Sequence, residues 1–146
     1  MNLFGLLQIS GSALLAQRER AEISASNLAN ADTTRTIEGG PYKRQNVLFA
    51  ATHPLSRGFF TTLASFTDIH TETVRVADVV QDESAPLRRY DPGHPDADAA
   101  GYVSFPNVNP IEESVNLMEA ARSYQMNVSA IQTTKAMIQA AIQIAQ

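Results

Sequence analysis

Apolar positions recur at helical spacing near both ends of this chain and lose that period between them. Near the N-terminus Leu7, Gly11, Leu14, Ala21, Ala25 and Leu28 fall on one stripe. Near the C-terminus Leu117, Ala121, Tyr124, Val128, Ile131, Ile138, Ile142 and Ala145 do the same. Residues three and four apart share a helix face, and a sustained repeat aims that face at partner helices. The first stripe predicts one helix over residues 3–29, about 40 Å long at ~1.5 Å per residue. It should end near Asn30, because Asn30-Ala31-Asp32-Thr33-Thr34 is turn-type sequence and Glu38-Gly39-Gly40-Pro41 is a firm break. The second helix has a clear start. Asn109 suits the N-cap, Pro110 the first helical position and Glu112 the capping-box position, while Glu113 adds negative charge near the positive helix end. Beyond Pro110 no glycine or proline interrupts the chain as far as Gln146.

The middle reads differently. Residues 42–50 suit a short strand. In 71–77 the alternation puts Val74 and Val76 on one face and Thr73 and Arg75 on the other, a half-buried strand pattern. Residues 87–90 and 102–105 are further strand candidates. Between them Asp91-Pro92-Gly93-His94-Pro95 must turn, because two prolines and a glycine forbid continued pairing. The expected fold is mainly α with a small β part: two long terminal helices packing as a coiled-coil-like hairpin around an irregular, β-containing middle. The expected division is 1–32 for the first helix, 33–108 for the middle and 109–146 for the second helix. Arg18 and Lys135 each interrupt a stripe and are read as long side chains that reach solvent at the seam edge. Long helices with narrow apolar faces gain most of their stability from packing, so the tails are expected to order on assembly.

Composition narrows the picture. The length of 146 residues suits one domain. Although 44% of residues are apolar, tryptophan is absent and much of that fraction is alanine, so the middle can build only a small core. The net charge of -4 is spread without blocks, which argues against a nucleic-acid surface. The pairs Lys43-Arg44 and Arg88-Arg89 read as solvated loop charges. With no cysteine, disulfides and thiolate metal sites are excluded. The segment Met1 to Leu7 has no positive charge and the first cation is Arg18, so no cleavable signal peptide is expected. No stretch approaches the ~20 apolar residues that span a bilayer.

Candidate chemistry is sparse. Asp68, His70 and Glu72 alternate and would share one side of a strand, where they could hold a metal or do acid–base work. An exposed polar strand face is the simpler reading. His94, Asp96 and Asp98 invite a calcium reading, but the glycine and the distal glutamate of an EF-hand loop are missing, which leaves turn chemistry. There is no nucleophile elbow, phosphate loop or dinucleotide fingerprint. Met118, Met126 and Met137 read as packing residues. Ser24, Ser26, Asn27 and Asn30 read as side chains that bond backbone at a helix end and reach neighbouring subunits. No catalytic, metal or cofactor residue is assigned.

The segment Ser24-Ala25-Ser26-Asn27-Leu28-Ala29-Asn30-Ala31-Asp32 resembles the N-terminal signature of bacterial flagellar rod, hook and hook-associated proteins, the flagellar axial family. Within that family four stretches resemble the proximal-rod type: Leu6 to Gln17, Val74 to Val79, Tyr90 to Pro95 with Pro92 and Gly93, and Gly101-Tyr102-Val103 leading to Pro106-Asn107-Val108. Glu113 to Tyr124, followed by Gln125-Met126-Asn127, adds a fifth. Residues 50–73 depart from the family pattern and are longer. The resemblance implies a structural subunit of the periplasmic rod, the drive shaft of the flagellar basal body, with no cofactor and no catalysis. It implies terminal helices packed in an inner tube, torque carried through them, and export without a cleaved signal by the flagellar type III apparatus. Implied partners are copies of itself, the rod subunits FlgB, FlgF and FlgG, and the rod-base adaptor FliE. The alternatives are another proximal-rod subunit of the same family, a small metal-dependent enzyme using Asp68, His70 and Glu72, and a soluble coiled-coil adaptor that stays in the cytoplasm.

Overall fold

Among the described residues two long helices bracket four strands. The computed structural model describes residues 3–52 and 72–144. The order is α1 (Leu3–Ala29), β1 (Gln45–Thr52), β2 (Thr73–Gln81), β3 (Leu87–Tyr90), β4 (Tyr102–Phe105) and α2 (Pro110–Ile144). β1 pairs with β2, and β3 with β4, as two separate two-stranded sheets. The mainly α fold with a small β middle is therefore the observed one.

The helix ends follow local chemistry. At the start of α2 the Asn109 side-chain oxygen accepts the Ile111 N–H at 3.1 Å, and the Asn109 carbonyl accepts from Glu113 at 3.0 Å. The first bond satisfies a donor that a helix N-terminus leaves open, and the second is the first bond of the helix itself. At the end of α1 the Asn30 N–H and side-chain amide both donate to the Ser26 carbonyl, at 3.1 and 2.9 Å. The chain then turns, and Thr33 N–H donates to the Asn30 carbonyl.

The β3–β4 hairpin is antiparallel, with Leu87 opposite Phe105 and Tyr90 opposite Tyr102. Gly101 closes its loop at φ +79°, and an added Cβ there would meet the Tyr90 ring at 2.8 Å. Only glycine fits both demands. β2 departs from the simple alternation. Thr73, Val76 and Val79 are half-buried while Val74 and Val80 are exposed, so cover recurs every third residue. A two-stranded ribbon twists strongly, and its covered face rotates along the strand.

The chain divides into two compact units. One comprises Met1–Glu19, Phe49–Ala77 and Ala120–Gln146, the other Arg20–Leu48 and Asp78–Glu119. In the second unit Val103, Phe105, Pro106 and Val108 are buried beside polar Asn27 and Glu113. In the first, the buried helical positions are small: Gly5, Ser10, Ala16, Ala120 and Thr134. Thr134 is satisfied by its own helix, its hydroxyl donating to the Ala130 carbonyl at 2.8 Å.

Candidate assembly site

Of Ser26, Asn27, Leu28 and Asn30 in the N-terminal family motif, Asn27 alone is buried. Asn27 lies in the last turns of α1 and is only 1% exposed. Its amide nitrogen donates to the Gln45 carbonyl at 2.8 Å and to Glu113 Oε2 at 3.3 Å. Its oxygen accepts from the Gln45 N–H and from the Tyr42 hydroxyl, each at 2.9 Å. The two bonds to Gln45 backbone fix which end of the amide is which, and all four positions of the side chain are used. A buried amide so placed acts as a joint between α1, the start of β1 and the start of α2.

Glu113 completes the joint. It is 1% exposed, and Arg44 meets its Oε1 through Nε at 2.7 Å and a terminal nitrogen at 2.6 Å. Arg44 is thus not the solvated loop charge that the Lys43-Arg44 pair suggested. Burying a carboxylate is costly unless it is paired and hydrogen-bonded, and here Arg44 and Asn27 do both. Sequence reasoning placed Glu113 at the helix start but not inside. The available signal was its phase: Glu113 shares a face with Leu117 and Ala120, so an inward acid demanded a cation. Which cation would answer, 69 positions away, only the fold decides. Further along the same helix pair, Arg20 bonds Glu119 at 2.9 Å near the surface.

The second motif region is the hairpin. Asp98 accepts the N–H groups of Ala100 and Tyr102, each at 2.9 Å, and pairs with Arg88 at 2.6 Å. These bonds, the one from Tyr102 foremost, hold its carboxyl below the ordinary carboxylate value. Asp96 accepts from the Thr34 hydroxyl at 2.8 Å, and His94 Nδ1 accepts the Asp96 N–H at 3.1 Å. His94, Asp96 and Asp98 are therefore occupied as turn-forming groups. Tyr90 and Tyr102 meet edge to face at 5.4 Å, with Arg88 over the Tyr102 ring and Arg89 over Phe105. Pro92 and Gly93 are exposed in the loop.

The stripe residues take two positions within the single chain. Leu7, Gly11, Leu14, Ala21 and Leu28 of α1 and Leu117, Val128, Ile131 and Ile138 of α2 are half-buried. Ala25, Ala121, Tyr124 and Ile142 are exposed, as are Arg18 and Lys135. Other large apolar side chains stand further out: Phe4 and Leu15 on α1, and Ile111, Val115, Met118, Met126 and Met137 on α2. Ile111, Val115 and Met118 follow i, i+4, i+7 spacing on one face.

For the metal-enzyme alternative, Asp68 and His70 lie outside the described residues and Glu72 is exposed. No group of three metal-ligating side chains occurs among the described residues. No helix among them is long and apolar enough to cross a membrane.

Known proteins match both helical ends and nearly the whole length. A family model described as flagella basal body rod protein matches residues 7–35. A second, described as flagellar basal body rod FlgEFG protein C-terminal, matches residues 99–144. The chain is 39% identical to the flagellar basal-body rod protein FlgC of Borreliella burgdorferi, covering 100% of this chain and 99% of that one. It is 41% identical to FlgC of Escherichia coli over 94% of each chain, and 39% identical to FlgC of Bacillus subtilis over 99% of each.

Proposed function

This chain belongs to the FlgC family of flagellar basal-body rod proteins, and from that premise we propose how it is built into the rod. It is a structural subunit of the proximal rod. Its two terminal segments, 1–32 and 109–146, form the inner tube of the rod, and 33–108 forms the outer part. The stripes from Leu7 to Leu28 and from Leu117 to Ile142, largely half-buried on their own chain, present their remaining surface to helices of neighbouring subunits. Torque passes along these packed helices, and the chain catalyses no reaction.

One observation carries this reading. Large apolar side chains stay exposed on both helices: Phe4 at 76% and Leu15 at 70% on α1, and a row of Ile111 at 76%, Val115 at 52% and Met118 at 63% on α2. Contiguous exposed apolar surface marks an interaction site. A helix whose inner face already meets its own chain and whose outer face is still apolar is suited to a wall of helices. The charged breaks at Arg18 and Lys135 suit such a crowded wall better than an ideal two-stranded seam.

The partners in this reading are further copies of the chain, FlgB, FlgF and FlgG along the rod, and FliE at its base. The chain is exported by the flagellar type III apparatus without a cleaved signal and functions in the periplasm. The family membership supports this route. Leu14→Asp and Ile131→Asp place a charge in each stripe. Each variant should still be exported but should fail to build rods, with swimming lost in soft agar. Normal swimming in both would overturn the proposal.

A further inference from the structure

The loop between α1 and β1 holds one aliphatic side chain fully in solvent. Tyr42 N–H donates to the Thr33 carbonyl at 3.0 Å, Thr36 N–H to Gly40 at 2.9 Å, and Gly39 N–H to Thr36 at 3.1 Å. The loop is thus closed at its base and at its tip. Gly39 and Gly40 take φ +91° and +79°, which side-chain-bearing residues rarely adopt. Asp96 braces the loop from outside through Thr34 at 2.8 Å, with Arg35 at 3.8 Å. At the tip of this tied loop sits Ile37, its exposure of 107% the highest of the large apolar side chains among the described residues. A preordered anchor loses little conformational freedom on docking, which is where a buried aliphatic side chain contributes most.

Beside the loop is a cavity of about 170 Å³ walled by Pro41, Tyr42, Pro86 and Asn107, with Lys43 and Asp82 among the residues at it. An apolar cavity of ~150 Å³ takes a benzene-sized group, so this one has room for a branched aliphatic chain. Tyr42 is held in place by its bond to Asn27, so one wall is fixed by the buried joint. Charge fits as well as volume. Glu38 follows Ile37 at the tip, and Lys43 lies at the cavity.

We propose that Ile37 is a docking knob that seats in the Pro41–Pro86 cavity of a second copy of this chain, with Glu38 meeting that copy's Lys43. Knob and cavity are different patches of one molecule, so the contact is heterologous and propagates head to tail. Such contacts generate rings or open helical arrays, the geometry a rod requires. The inference rests on the rod-subunit reading and adds to it a specific contact outside the terminal helices.

The absence of native cysteine makes the test direct. The chain carrying Ile37→Cys and Pro86→Cys is expressed beside the unaltered chain. Basal bodies are then purified and treated with a short bis-maleimide. The proposal expects dimers and higher multimers of the chain on a denaturing gel, which vanish in each single variant. Basal bodies that contain the double variant yet yield no such multimers would overturn it. So would crosslinks that join Ile37→Cys only to a different rod protein, identified by mass spectrometry. Absence of the chain from basal bodies of swimming cells would instead overturn the rod-subunit reading itself, so the two failures are distinguishable.

Discussion

Glu113 shows how much one buried side chain can organise. Its carboxylate is shared between Arg44, which arrives ahead of β1, and Asn27, which arrives from α1. Removing one partner of a buried ion pair leaves the other charge uncompensated, which costs about 3–5 kcal/mol. Arg44 is 22% exposed and lies 4.0 Å from Glu112, so Glu113→Ala should destabilise the purified chain by less than that, about 1–3 kcal/mol, read by urea unfolding under circular dichroism. Glu113→Gln keeps an acceptor for Asn27 and should cost less. Equal losses for the two variants would mean that the pairing with Arg44 alone sets the stability. Asn27 itself was visible in the sequence as a motif residue, but its role was not. A motif states that a side chain matters; the four bonds state that it joins three segments. Arg44 was misread because a charged pair in a loop usually faces water, and nothing local reveals a buried acid waiting in a helix far along the chain.

At the scale of elements, the helices were legible and the strands less so. α1 ends at Ala29 and α2 begins at Pro110, as expected, because caps, prolines and turn residues act locally. β1 starts at Gln45 rather than at residue 42, since Tyr42 N–H is spent closing the preceding loop on Thr33. The β3–β4 hairpin depends on its loop as much as on its ladder. Asp98 accepts two backbone N–H groups and a guanidinium, and these depress its carboxyl from the ordinary 3.8. A group depressed in the folded state contributes stability above its unfolded value, and that contribution is lost as pH falls through the lower folded value. Acidification from neutral to below pH 3.8 should loosen this loop. On acidification, hydrogen exchange at the Tyr102 amide should slow less than base catalysis alone dictates. Asp98→Asn should flatten that dependence. Asp82, held low chiefly by the Ser84 hydroxyl, changes in the same direction.

For the whole molecule, the two apolar tails define both its weakness alone and its use in an assembly. The last described turn of α2, Ala141 to Ile144, is exposed throughout. Helical segments with little buried face open readily. In dilute purified protein the amides of 135–144 should exchange far faster than those near Glu113, and assembly into rods should protect them. Equal protection of both regions in the monomer would show that the tails need no neighbours. The sequence by itself determined the two long helices, their caps, the small β middle and the family, because each rests on local spacing or on contiguous motifs. The tertiary structure decided which helix face turns inward, and it chose small and polar positions such as Ser10, Ala16, Asn27, Glu113, Ala120 and Thr134 over the apolar stripe. The physical reason is that periodicity reports that a face will be covered but not by what. Contacts between residues far apart in the chain, Arg44 with Glu113 above all, exist only once the backbone has brought them together.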